Sequence, residues 1–162
     1  MKQFSPIKDP EHYAVVNELY DRALEQLSGI PELWLEYAKF SAKQHRVTET
    51  RKIYDRALGS LPVTDHDSIW DAYLQWAESL EGLTDTACHI YRRYLKFKPE
   101  HTELYIDYLL KHDLLEEALE LYLYILDDEG FVSVKGKTKY QFWMELCEFI
   151  SKNPDRCRFK DP

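Results

Sequence analysis

One helical template recurs eight times along this chain, and it constrains the fold more than any other feature. A large aromatic or apolar residue at position i is followed by companions at i+3, i+4 and i+7. The instances are Tyr20-Ala23-Leu24-Leu27, Trp34-Tyr37-Ala38-Ser41, Tyr54-Ala57-Leu58-Leu61, Trp70-Tyr73-Leu74-Ala77, Tyr91-Tyr94-Leu95-Lys98, Tyr105-Tyr108-Leu109-His112, Tyr122-Ile125-Leu126-Glu129 and Trp143-Leu146-Cys147-Ile150. This spacing puts each set on one stripe of an α-helix. Two helix types alternate. The first carries Trp-x-x-Tyr (Trp34, Trp70) or Tyr-x-x-Tyr (Tyr105), and the second carries Ile-Tyr-x-Arg-x-Leu (Ile53 to Leu58, Ile90 to Leu95). The first-type anchors at 34, 70, 105 and 143 stand 36, 35 and 38 residues apart. A period of that length means stacked helical hairpins, each covered only by its neighbours. The expected fold is an all-α superhelix, or solenoid, of about four hairpins over residues 11–150, after a lead-in of residues 1–10 and before a tail of 151–162.

Turn chemistry fits that reading. Pro31 suits the first position of the helix bearing Trp34, because its missing N–H has no intrahelical partner there. Gly82 is a left-handed stop, and Pro62 and Pro99 close the helices before them. Thr48, Ser68 and Thr84 are expected N-caps, and Asp113-x-x-Glu116 has the form of a capping box. Ala23, Ala38, Ala57, Ala77 and Ala118 put small residues beside bulky rings, so that hairpins pack closely. Trp34, Tyr54, Trp70, Tyr91 and Trp143 are expected to be buried, Trp76 partly exposed, and apolar surface near Tyr20, Phe142, Phe149 and Ile150 left uncovered for self-association through the repeat ends. One segment, Asp127 to Lys139, is longer than a hairpin turn needs. Long loops in compact folds are often functional, so its lysines, Lys135, Lys137 and Lys139, are the candidate partner-binding residues.

Composition narrows the function classes. Hydrophobic residues are 44% and charged residues 31%, which excludes general disorder. The formal charge of −8 repels polyphosphate on average. Arg92, Arg93, Lys96 and Lys98 fan round their helix and are expected to be a solvated face. Arg22, Arg56 and Arg93 are expected to pair with acids such as Glu36 or Asp71. Cys88, Cys147 and Cys157 are odd in number and widely spaced, as in a reducing compartment. No apolar run approaches a membrane span, and Met1 to Pro6 lacks the apolar core of a signal peptide, so an intracellular chain is expected.

Gly136-Lys137-Thr138 invites a phosphate-binding loop, but that motif needs a glycine five residues before Gly136, where Phe131 stands, and a preceding strand. The six histidines have no metal-ligand spacing. Glu116-Glu117 and Asp127-Asp128 do not converge, and nothing supplies a nucleophile with a base and an orienting group. No cofactor, metal or catalytic residue is expected.

The alternation of Trp34-x-x-Tyr37-x-x-Phe40 with Arg51-x-Ile53-Tyr54-x-Arg56-Ala57-Leu58 and a closing Leu61-Pro62 resembles the half-a-TPR, or HAT, repeat. Plain TPR units instead carry glycine and alanine at set positions that are missing here. Leu33 to Tyr37, Arg46-Val47-Thr48, Tyr91 to Lys96, Phe131-Val132-Ser133, Glu145-Leu146-Cys147 and Asn153-Pro154-Asp155 are similar, in the same order, to segments of the Syf-type splicing-factor family. Tyr105 in place of tryptophan is the main departure. The resemblance implies an internal piece of a longer nuclear scaffold that binds other spliceosomal proteins in the NineTeen-associated complex, with a family link to transcription-coupled repair. An RNA-contacting adaptor in another RNA-processing complex is the alternative implied by the same family.

Overall fold

A computed structural model describes residues 10–156 of the 162-residue chain, so the lead-in before Pro10, and Cys157 onward in the tail, lie outside it. The described residues form eight α-helices and no strand: α1 (Pro10–Leu27), α2 (Pro31–Lys43), α3 (Val47–Ser60), α4 (His66–Glu78), α5 (Thr84–Phe97), α6 (Thr102–Lys111), α7 (Leu115–Asp127) and α8 (Lys139–Lys152). The described residues fall into two compact units, one up to Ser79 with α1 to α4 and one from Leu80 with α5 to α8. The all-α repeat class is the one the eightfold template demands. No described helix is long and apolar enough to cross a membrane.

In the first unit each helix packs on its chain neighbour, and α4 also rests on α2. The seams are made by tyrosines. Tyr20 of α1 stacks on Tyr37 of α2 with centroids 4.8 Å apart, and Tyr54 of α3 stacks on Tyr73 of α4 at 4.5 Å. Ala38, Ala57 and Ala77 are fully buried beside these rings and leave the space in which they stack. A buried hydrogen bond from Thr50 Oγ1 to Ser41 Oγ (2.9 Å) ties α3 to α2. In the second unit Tyr91 of α5 stacks on Tyr105 of α6 at 5.0 Å. Beyond it Ile106, Leu115, Tyr122, Ile125, Phe142, Leu146 and Phe149 make one apolar cluster of α6, α7 and α8.

Helix ends depart from the capping expected. Pro31 does open α2, and Gly82 does turn left-handed (φ 73°). Thr48, Ser68 and Thr84, however, cap nothing, because α3, α4 and α5 begin at Val47, His66 and Thr84 behind the non-capping residues Arg46, Asp65 and Leu83. Asp113 is no capping box either. It takes a left-handed φ of 60°, as His45 does at 56°. His45, Gly82 and Asp113 occupy one structural slot, each placed just before the residue that precedes a second-type helix. Asn and Asp tolerate that conformation better than most residues, and histidine tolerates it at a cost.

Trp34, Tyr54, Trp70 and Tyr91 are buried as expected. Trp143 is not: it is 51% exposed. Two apolar stripes overlap on α8, one through Trp143, Leu146 and Ile150 and one through Phe142, Leu146 and Phe149. The second faces the core, because Phe142 meets the loop residue Phe131 edge-on at 6.0 Å. Phe142 and Phe149 are therefore covered, and the exposed apolar surface near α8 belongs to Tyr140, Trp143 and Met144.

Two stability measurements follow from this packing. Trp70→Ala should lower unfolding free energy by about 3–5 kcal/mol in denaturant titration, as a large-to-small core change. His45→Gly should raise it by up to about 1 kcal/mol by relieving the left-handed strain, whereas His45→Val should lower it.

Candidate interaction surface

The tyrosine stacks carry a polar device that the spacing alone does not reveal. In α1 and α3 the stacking tyrosine is followed by an aspartate, and the tyrosine of the next helix donates its hydroxyl to it: Tyr37 to Asp21 (3.2 Å) and Tyr73 to Asp55 (3.4 Å). Arg56 also reaches Asp21 (2.8 Å), with its guanidinium 5.3 Å from the Trp34 ring centroid. Arg56 thus pairs with an acid, as expected, but with Asp21 rather than Glu36, which binds Lys39. Burial, and then Asp21, push the Tyr37 phenol up to about 12; burial, and then Tyr73, do the same for Tyr54.

In α5 the residue after Tyr91 is Arg92, and the device is inverted. Arg92 forms two parallel hydrogen bonds to Glu117 of α7, each 2.7 Å, and Tyr105 donates to the same carboxylate at 2.7 Å. The Arg92 hydrogen bonds hold the Glu117 carboxyl below its ordinary range. Burial raises the Cys88 thiol, which keeps it unreactive. The basic cluster read from the sequence is therefore partly a packing element.

The surface most unlike the rest is the loop of residues 128–138. Its eleven residues contrast with three to five in the other connections. It is pinned rather than slack. Gly136 turns left-handed at φ 71°, its N–H donates to the Ser133 carbonyl (3.2 Å), and the Lys137 N–H donates to Ser133 Oγ (2.9 Å). Thr138 then caps α8 in a capping box with Gln141. The Gly-Lys-Thr run is thus a turn and a cap, which accounts for its composition without a phosphate.

The three lysines fasten the loop to its own unit. Lys135 pairs with Asp107 of α6. Lys137 pairs with Glu145 of α8 at 2.6 Å, with its ammonium 5.6 Å from the Phe142 ring centroid. Lys139 donates to the Leu126 carbonyl at 3.4 Å. Glu145 also accepts the Tyr122 hydroxyl (3.3 Å), which burial and that carboxylate raise well above the ordinary tyrosine range. The structure so brings Lys135 and Lys137 onto acids of two different helices and leaves Lys139 at the start of α8. Outside this belt Val132 is 76% exposed and Val134 53%.

Three hollows flank the loop. One of about 600 Å³ lies along α8 beside Lys137, Met144, Glu145 and Glu148. Another of about 460 Å³ lies between α7 and α8 at Leu123, Tyr124 and Trp143. The third, about 300 Å³, is walled by Pro99, Glu100, Tyr124, Asp128, Phe131 and Val132. Among the described residues no group of three or more His, Cys, Asp or Glu is placed to hold a metal ion.

Paired aromatic helices whose rings fill the seams define a helical-repeat protein of the HAT class. Family comparisons give the particular family. Residues 1–100 match the pre-mRNA-splicing factor Syf1/CNRKL1 N-terminal HAT repeat, and residues 102–161 match the pre-mRNA-splicing factor SYF1 middle HAT repeat. The chain is 46% identical over 150 residues to pre-mRNA-splicing factor SYF1 of Homo sapiens, covering 93% of this chain and 17% of the human protein. It is 46% identical over 144 residues to the syf1 homolog of Drosophila melanogaster, covering 89% and 16%. Against cwf3 of Schizosaccharomyces pombe it is 39% identical over 155 residues, covering 96% and 19%. The chain belongs to the Syf1 family of HAT-repeat splicing factors, and it spans about a sixth of the length of these relatives.

The carboxylate and the phenols set opposite pH limits. Glu117 has its folded value below the unfolded one near 4.3, so its contribution is complete above that value and is lost as pH falls through the lower folded value. Glu117→Gln should flatten part of the acid limb of a stability-versus-pH curve. Tyr37 and Tyr54 lie above the unfolded value near 10, so their contribution is complete below it and is lost as pH rises towards about 12. Ultraviolet titration should show these two phenols ionising only as the fold is lost, while exposed tyrosines titrate earlier.

Proposed function

We propose that this chain is a protein-binding segment of a nuclear pre-mRNA-splicing factor, serving as a scaffold within the spliceosome's NineTeen-associated complex. The reading extends to the family's link with transcription-coupled repair, through the same kind of protein contact. Its work is to hold other proteins in place, with no catalytic step or cofactor of its own.

The observation that carries this is the loop of residues 128–138. Its length serves no hairpin geometry, yet capping, ion pairs and Phe131 hold it in one conformation with Val132 and Val134 turned to solvent. Ordering a long loop costs conformational entropy, and placing apolar side chains on its outside returns none of it. A partner that covers those valines supplies the missing term. The lysine belt fits the same role: Lys135, Lys137 and Lys139 form its basic edge, and their pairing with Asp107 and Glu145 sets the loop's position before any partner arrives. The chain's net charge of −8 favours a protein partner over RNA.

Replacing Lys135, Lys137 and Lys139 by serine tests the loop. Each lost surface ion pair should cost no more than about 1 kcal/mol in thermal or denaturant unfolding. Capture of splicing-complex proteins from nuclear extract should weaken clearly. Unchanged capture overturns the loop assignment; hydrolysis of ATP, or tight duplex-RNA binding at physiological salt, by the unaltered chain overturns the scaffold reading.

A further inference from the structure

The outer part of loop 128–138 alternates with a period of two. From Phe131 to Ser133 the chain is neither helix nor turn, and its side chains take opposite sides in succession. Phe131 packs inward on Phe142, and the Ser133 hydroxyl accepts the Lys137 N–H, whereas Val132 and Val134 face solvent. That alternation is the mark of an extended chain. Backbone groups follow the same rhythm. The Phe131 N–H donates to the Asp128 carbonyl (3.4 Å) and the Ser133 carbonyl accepts from Gly136 (3.2 Å), so these two residues each place a group within the loop. Among the described residues, nothing pairs with the N–H and C=O of Val132 or with the N–H of Val134.

An open backbone edge is ordinarily blunted by a charge. Here the nearest one, Lys135, is drawn onto Asp107, and two β-branched residues, which favour extended pairing, stand in the open instead. The hollow of about 300 Å³ adjoins this edge, walled by Phe131 and Val132 of the loop together with Pro99 and Tyr124, and its lining includes the acids Glu100 and Asp128. We propose that residues 131–134 are a docking edge to which an extended segment of a protein partner adds as a β-strand. Alternate side chains of that strand flank Val132 and Val134 on the outer face, and on the inner face one apolar side chain enters the hollow. Charge complementarity to Glu100, Asp128 and a chain of net charge −8 makes the segment basic at its flanks. The inference deepens the reading of loop 128–138 as a docking surface and rests on it. The two fail separately: the lysine replacements test capture whatever conformation the partner takes, and a strand probe tests pairing without any capture.

The test uses the unaltered, isotope-labelled chain and a synthetic peptide, acetyl-Lys-Thr-Val-Leu-Val-Thr-Lys-amide, followed by amide chemical shifts and hydrogen exchange. The peptide should shift the amides of Phe131 to Val134 and saturate in the high-micromolar to millimolar range, as expected for a few backbone bonds and one seated side chain. At about ten times its Kd, exchange of the Val132 and Val134 N–H groups should slow about tenfold while Ser133 keeps its rate. The same peptide N-methylated at every residue keeps its side chains but cannot donate from its backbone, and it should bind at least about tenfold more weakly. Equal binding of the N-methylated peptide overturns the proposal, because the loop then reads side chains alone. Protection that covers Ser133 equally, a bound peptide found helical by transferred nuclear Overhauser effects, or no shift up to about 10 mM peptide overturns it too. Shifts at 131–134 that grow with protein concentration alone mark a second copy of the chain as the occupant and likewise overturn it.

Discussion

The contact on which this structure depends is a tyrosine of one helix stacked on a tyrosine of the next, as in Tyr20 on Tyr37, Tyr54 on Tyr73 and Tyr91 on Tyr105. A repeat fold has no single centre to bury, so each seam must supply its own apolar area and its own orientation. Offset rings give both, since stacking adds about 0.5–1.5 kcal/mol to the area they bury. The hydroxyls then need partners in a partly dry seam, and Asp21, Asp55 and Glu117 provide them. Where the residue after the tyrosine becomes Arg92, the acid moves to α7, as Glu117, and the same hydroxyl chemistry is kept.

Seams built this way leave the outer faces and the connections available for recognition. Short connections of three to five residues leave little to vary, and three of them pass through the same left-handed slot, at His45, Gly82 and Asp113. The eleven-residue loop is the exception, and its stiffness links the packing to the function proposed for it. Phe131 anchors it in the α6–α8 cluster, Lys135 and Lys137 fix it on two helices, and the result is a defined apolar rim beside an acidic hollow. Binding to such a preordered loop avoids much of the ordering cost that a slack one imposes.

Periodicity carried the fold because the buried stripes repeat a chemistry that is rare elsewhere: Trp34, Trp70, Tyr54 and Tyr91 stand in register, and all four are buried. It failed at Trp143, where Phe142-Trp143 and Phe149-Ile150 place apolar pairs side by side and only tertiary contact with Phe131 decides which member faces inward. Caps were misread for a related reason. Thr48 and Thr84 are good capping residues, but the left-handed turns at His45 and Gly82 set the starts of α3 and α5 instead, and at Ser68 the short turn of Val63–Asp65 starts α4 two residues earlier, at His66. The long loop and its lysines were legible from glycine spacing and length, whereas their pairing with Asp107 and Glu145 depends on residues far away in the chain. The acids after Tyr20 and Tyr54 were visible as Tyr-Asp pairs, and comparing the two repeats would have found them. The burial of Glu103 in α6 had no signal at all, since an acid in a helix's first turn ordinarily means only a favourable dipole contact.

A double-mutant cycle at Tyr54 and Tyr73 tests the stacking account most directly, with leucine replacing each ring singly and then both. If stacked tyrosines couple neighbouring helices as described, denaturant unfolding should give an interaction energy of about 0.5–1.5 kcal/mol between the two positions. Additive losses, agreeing within about 0.3–0.5 kcal/mol, would show that the rings act only as separate apolar filler and would contradict the account.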